Sequence, residues 1–173
     1  GGLAHPATAD PLTGLANRSL LMERLDEALA RMDRLPGYLV VMFVDIDRFK
    51  DINDNAGHAV GDQVLLEVAH RIATVARRED MVARLAGDEF VVVCERVRSR
   101  GAVVEIADRL VQALSVPYDD GTLHLPVSAS VGVAVAADSS AHPSELLSRA
   151  DAALYRAKHG GRHCFRGNVG GAH

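Results

Sequence analysis

The chain has no tryptophan, and tyrosine and phenylalanine make up only 4% of its 173 residues. So few aromatic rings leave little on which to stack the bases of a single-stranded nucleic acid. An excess of basic residues is missing too. Nineteen Lys and Arg against 23 Asp and Glu leave a net charge of −4, which excludes a surface that coats a phosphate backbone. Cys94 and Cys164 are too few for a disulfide scaffold, and neither sits in a CxxC or Cys/His spacing that would hold zinc. The eight histidines are scattered, with no HExxH-like pair. No apolar run approaches the ~20 residues needed to span a bilayer, and no signal peptide is visible. The expectation is a reduced, cytoplasmic, soluble domain that touches neither membrane nor nucleic acid, either alone or as the cytoplasmic part of a larger sensor.

What is present is apolar material, 48% of the chain, enough for one domain with a sizeable core. Residues 1–9 read as a linker or cloning remnant, residues 10–166 as the domain and residues 167–173 as a tail. Asn17 is a candidate N-cap for a helix over 18–34 with Leu20, Leu21, Leu25, Ala28 and Leu29 as its stripe, ended by Pro36-Gly37. The run Tyr38 to Val44 does not alternate and predicts a strand buried on both faces. Residues 48–55 read as a short helical or irregular piece. Gly57 and Gly61 then bracket His58-Ala59-Val60 before a long helix over about 62–77, with Val64, Leu65, Val68, Ile72 and Val75 inward. A third helix is expected over 99–114, strands over 123–127 and 128–136, a last helix opened by His142-Pro143, and a short strand around 163–166. Strands alternating with helices around one hairpin predict a three-layer α/β domain built on a mixed sheet.

The hairpin organises the chemistry. Met81-Val82-Ala83 and Phe90-Val91-Val92-Val93 flank the turn Ala86-Gly87-Asp88-Glu89, with Gly87 free to take positive φ. The turn presents two adjacent carboxylates, Asp88 and Glu89. A second acidic cluster, Asp45-Ile46-Asp47, ends the apolar run Leu39 to Val44. Carboxylates on two strand ends that can lie side by side suit a hard divalent cation shared with substrate phosphates.

Five blocks in order carry a resemblance: Asp10 to Arg18 (DPLTGLANR), Asp45 to Asp54 (DIDRFKDIND), Gly57-His58 with Gly61-Asp62, Arg84 to Phe90 (RLAGDEF), and Tyr155 to Lys158 with Gly161-Arg162. Together they resemble the GGDEF domain, whose members are diguanylate cyclases that condense two GTP into cyclic di-GMP. The resemblance implies a nucleotidyl cyclase-like palm fold, with a central mixed five-stranded sheet flanked by helices. It implies that Asp45, Asp88 and the backbone carbonyl of Ile46 hold Mg²⁺ or Mn²⁺, with Glu89 as a further ligand or general base. Arg48-Phe49-Lys50 would wrap the β- and γ-phosphates, and Lys158 and Arg162 would reach the same phosphates. Gly87 would border the nucleotide in the turn, and Asn53 and Asp62 would read the guanine edge. A carboxylate suits that edge because guanine offers N1–H and N2–H₂ donors. The plainer alternatives are Asp45 and Asp47 merely ending a buried strand, Lys50, Lys158 and Arg162 as solvated helix-end charges, and Asn53 and Asp62 as helix caps. Asp10, Arg18 and His58 are read as structural.

Where the family motif begins Gly-Gly, this chain has Ala86. If that position needs positive φ or close nucleotide approach, alanine strains or blocks it; with ordinary φ it is harmless. Arg77-Arg78-Glu79-Asp80 resembles the family's RxxD product-inhibition site, which assigns Arg77 and Asp80 to cyclic di-GMP. Two GTP require two facing domains, so the implied partner is a transient homodimer assembled through domains outside this chain. Two functional readings stand: a cyclase with product feedback, or an impaired domain that binds GTP or cyclic di-GMP to regulate a neighbour. The absence of a Walker loop argues against a general GTPase.

Overall fold

A computed structural model describes residues 8–162 and 164–167. The chain runs α1 (Arg18–Arg31), β1 (Tyr38–Ile46), α2 (Phe49–Ala56), α3 (His58–Val75), β2 (Met81–Ala86), β3 (Glu89–Val97), α4 (Arg100–Ala113), β4 (Tyr118–Asp119), β5 (His124–Leu125), β6 (Ala129–Ala136), α5 (Pro143–His159) and β7 (Phe165–Gly167). Five strands form one sheet in the order β2-β3-β1-β6-β7, while β4 and β5 make a separate small hairpin. The sheet is mixed: β1 is antiparallel to both neighbours, and β7 runs parallel to β6.

β1 is central and covered on both sides, which is why its sequence does not alternate. Val40, Met42, Val44 and Ile46 pack with Phe90, Val92 and Cys94 under α3 and α4. Leu39, Val41 and Phe43 pack with Val91 and Val93 under α1 and α5. The period-two pleat thus divides one hydrophobic strand between two cores.

Local signals account for most boundaries. Asn17 caps α1 by accepting the Leu20 N–H through its side chain, and Ser99 caps α4 through the Ala102 N–H. Pro143 occupies the first turn of α5, where its missing N–H costs nothing. Three expectations need correction. The predicted strand over 123–127 shrinks to β5, because among the described residues its only pairing partner is the two-residue β4. The long helix begins at His58, four residues before Asp62, so His58 is a helical residue and Asp62 is no cap. Gly61 is a helix-packing position: a Cβ there would lie 1.8 Å from Asn53 Oδ1 and 3.3 Å from Phe49 Cζ. Its bare Cα lets α2 lie against α3. The predicted strand at His163 begins at Phe165; His163 itself, residues 1–7 and the tail from 168 on lie outside the described residues.

Candidate active site

The hairpin between β2 and β3 closes with Ala86 opposite Glu89, leaving Gly87 and Asp88 as a two-residue loop. Gly87 has φ 48°, at the loop position where type II′ turns take glycine. Ala86 is not among the residues with positive φ, so the alanine adds no backbone strain. Arg84 braces the loop from below. Its Nε donates to the Gly87 carbonyl at 2.9 Å, and its Nη1 donates to Asp10 Oδ1 at 2.9 Å.

Asp10 therefore acts as an anchor for the turn, as its structural reading required. Burial pushes its carboxyl up, but hydrogen bonds from the Thr13 backbone and hydroxyl and from Arg84 outweigh this and hold it below the ordinary value of 3.8. A depressed carboxyl stabilises the fold fully above the ordinary value, and the contribution fades as pH falls through the lower folded value. Asp10→Asn is expected to cost about 2 kcal/mol near neutrality. Thermal melts of both proteins should converge as the pH is lowered below 3.8.

Register sets the central geometry. Asp45, near the end of β1, faces Glu89 on β3 and Ser130 on β6. Asp88 comes in from the adjoining turn. The Lys158 ammonium, near the end of α5, is ion-paired with Asp45 Oδ2. The other oxygen, Asp45 Oδ1, is buried with no hydrogen-bond partner. Burial, then the neighbouring Asp88, push the Asp45 carboxyl up to about 7 against the pull of Lys158. Glu89 is raised as well, first by burial and then by Asp45 and Asp151, with Arg18 and Lys158 opposing. Acidic groups with a surplus of negative charge and an unpaired inward oxygen fit a hard divalent cation. No group of three or more His, Cys, Asp or Glu side chains forms a cage by itself among the described residues.

Beside the carboxylates, the chain leaves β1 at Ile46 and turns into α2. Arg48 lies in the left-handed region, with φ 55° and ψ 38°, and α2 starts with no side-chain cap. The first N–H groups of an uncapped helix are suited to anions. Arg48 and Arg162, the latter also left-handed with φ 62°, line a cavity of about 480 Å³ shared with Ile52, Leu125 and Val127. Lys50 is exposed on the first turn of α2. Phe49 and Asn53 pack at Gly61 on the contact between α2 and α3, while the neighbouring Asp62 is exposed.

Arg77 and Asp80 are not part of this cluster. They sit between α3 and β2, where Arg77 Nη2 donates to the Glu95 carbonyl, six residues along β3 from Glu89 and so roughly 20 Å away. Arg77 Nη2 also meets Asp80 Oδ1 at 3.0 Å, and the Asp80 side chain is only 2% exposed, against 38% for Arg77. Asp80 therefore orients Arg77, whose partly exposed guanidinium also contacts Glu79 and the Glu95 carbonyl.

One feature escaped the sequence reading. The Asp47 carboxylate is buried and accepts hydroxyl hydrogen bonds from Ser128 and Ser130. The only linear trace of this is a pair of hydroxyls at alternate positions entering β6.

The family model "Diguanylate cyclase, GGDEF domain" matches residues 7–164. The chain is 42% identical over 165 residues to the bifunctional diguanylate cyclase/cyclic di-GMP phosphodiesterase MucR of Pseudomonas aeruginosa, covering 94% of this chain and 24% of that protein. It is 41% identical over 158 residues to the diguanylate cyclase TpbB of the same organism, covering 90% of this chain and 36% of that protein. It thus spans about a quarter to a third of these curated relatives. The solved GGDEF domain of TpbB superposes with a TM-score of 0.86 at 39% identity, covering 92% of this chain and 93% of that one. The GGDEF domain of DgcB from Caulobacter crescentus, solved with c-di-GMP, gives 0.85 at 31% identity and covers 96% of each chain.

Proposed function

The chain belongs to the GGDEF domain family of diguanylate cyclases, and from that membership we propose that residues 10–166 condense two GTP into cyclic di-GMP with release of two pyrophosphates. The observation that carries the reading is the meeting of Asp45, Glu89 and Asp88 at one strand end, with a buried Asp45 oxygen unpartnered.

Asp45, Asp88 and the Ile46 carbonyl would hold Mg²⁺ or Mn²⁺, with Glu89 beside them. When bound, the cation lowers the pKa of the attacking hydroxyl and neutralises charge on the departing pyrophosphate. The chain's own groups do the rest. The uncapped start of α2, at Arg48, Phe49 and Lys50, cradles the β- and γ-phosphates, and Lys158 and Arg162 add positive charge. Lys158 leaves Asp45 to do so. Asn53 and Asp62 hold the guanine edge, and Gly87 leaves room for the nucleotide at the turn. Glu89, its carboxyl raised by burial, takes the proton of a 3′-hydroxyl as that oxygen bonds to an α-phosphorus and the α–β anhydride bond breaks. Each domain holds one GTP, so two must face each other, in a transient homodimer brought together by segments outside this chain.

Incubation with GTP and Mg²⁺ at high protein concentration, with cyclic di-GMP and pyrophosphate quantified, tests this. Product in a ratio of one to two supports it. Failure to form product, repeated on a dimerised fusion, would leave the regulatory reading, in which the domain binds GTP or cyclic di-GMP without turnover. With its backbone φ ordinary, what is left to favour that second reading is the added Ala86 methyl, which a closely approaching nucleotide would meet.

Feedback is assigned to Arg77, with Asp80 holding it in place. Arg77→Ala is expected to weaken cyclic di-GMP binding by about 100-fold, the scale of losing a charge-assisted bidentate contact. Turnover should then continue to higher product levels. Calorimetric titration with cyclic di-GMP checks the first effect, and unchanged affinity would remove Arg77 from the site.

A further inference from the structure

We propose that Asp47 is the positioning residue of the triphosphate cradle, clamped by Ser128 and Ser130 so that the turn into α2 keeps its phosphate-binding shape. The inference rests on the GTP site proposed above. The two acidic residues that end β1 have opposite surroundings. Asp45 keeps an unpartnered oxygen. Asp47, 8% exposed, uses both oxygens: Ser128 Oγ donates to Oδ2 and Ser130 Oγ donates to Oδ1, each at 2.6 Å.

Placement explains what the clamp does. The β1–β6 register ends with Ile46 opposite Ala129, so Asp47 is the first residue beyond the ladder. Its N–H reaches the Ser128 carbonyl at 2.9 Å, which extends the strand by one bond. At the next residue, Arg48, the backbone swings into the left-handed region, and α2 opens without a side-chain cap. An arginine adopts that conformation only where its surroundings enforce it. Ser128 just before β6 and Ser130 within it occupy alternate positions, and gripping both carboxylate oxygens fixes the plane of the Asp47 side chain and the direction in which the chain leaves it. Ser130 also faces Asp45 across the ladder. One strand therefore holds the cradle in register with the carboxylates around Asp45. Asp47 touches no substrate; it acts through Arg48, Phe49 and Lys50.

Calorimetric titration with 3′-deoxy-GTP and Mg²⁺ tests this, since the analogue lacks the attacking hydroxyl and does not turn over. Guanosine, which has the base and no phosphates, is the companion probe. Asp47→Asn and Ser130→Ala are expected to raise the Kd for 3′-deoxy-GTP about 10-fold, in the range found when a supporting hydrogen bond behind a binding group is lost. The Kd for guanosine should stay within about twofold, because Asn53 and Asp62 are untouched. Ser128→Ala, at a half-buried hydroxyl, gives a milder version should the other variants fold poorly. Equal losses for both probes would show that the cluster only supports the fold, and unchanged affinity for 3′-deoxy-GTP would remove the clamp altogether. A wild-type protein that binds neither probe overturns the GTP site itself, and the clamp with it.

Discussion

Asp88→Ala is expected to lower cyclic di-GMP formation by at least about 1,000-fold, equivalent to about 4 kcal/mol of lost transition-state stabilisation. The fold should survive. Asp88 lies in a two-residue loop braced independently by Arg84, whose bond goes to the Gly87 carbonyl. Its side chain contributes negative charge beside Asp45, and that charge helps push the Asp45 carboxyl up. Removing it relieves repulsion at a buried site, so the melting temperature in metal-free buffer should hold steady or rise. Loss of activity together with preserved or increased stability is the signature of a residue kept for chemistry at a cost to the fold. Undiminished product in the variant would end the assignment of Asp88. A collapsed melting transition would instead make the residue structural. Asp45→Ala is a poorer probe, because it also strips Lys158 of its ion-pair partner.

Gly132→Ala is expected to destabilise the domain by about 3 kcal/mol, the upper end for an overpacked core. For a chain of this size that is a fall in melting temperature of roughly 6–12 °C. Gly132 lies inside β6, opposite Phe43 on β1 and Arg166 on β7. A Cβ built there would stand 2.1 Å from the Ala150 carbonyl oxygen and 2.2 Å from the Leu154 nitrogen. Both atoms belong to the backbone of α5, so no side-chain rotation relieves the clash and the helix itself must move. α5 carries Lys158, and its displacement should weaken nucleotide binding as well. Gly101→Ala is the internal control. Its Cβ would meet nothing nearer than Ser99 Oγ at 3.7 Å. Inside α4, alanine there should add about 0.5–1 kcal/mol of stability. A Gly132→Ala protein that melts with the wild type would mean that α5 does not sit this close to the sheet.

The sequence by itself determined what depends on near neighbours. The helix starts at Asn17, Ser99 and Pro143, the turn at Gly87 and the doubly buried β1 all arise from caps, backbone freedom and apolar runs within a few residues. The order of the five motif blocks likewise carried the family and the mixed sheet. The misplaced start of α3 shows the limit of that reasoning. Gly57 and Gly61 read as a paired turn signal, yet Gly61 is a glycine because α2 packs where a Cβ would stand, a pressure that acts across elements.

Only the tertiary structure decided which groups act together. Asp45 meets Glu89 through strand register, and Lys158 reaches Asp45 from the far end of the chain. Arg84 braces the turn against Asp10, 74 residues earlier, and Ser128 and Ser130 grip Asp47 from 81 and 83 residues later. Whether Ala86 carries backbone strain was open in the sequence, and its backbone shows ordinary φ. Side-chain identities state which charges and hydroxyls exist. Their pairing depends on distances set when two cores close around β1, and no local pattern encodes those distances.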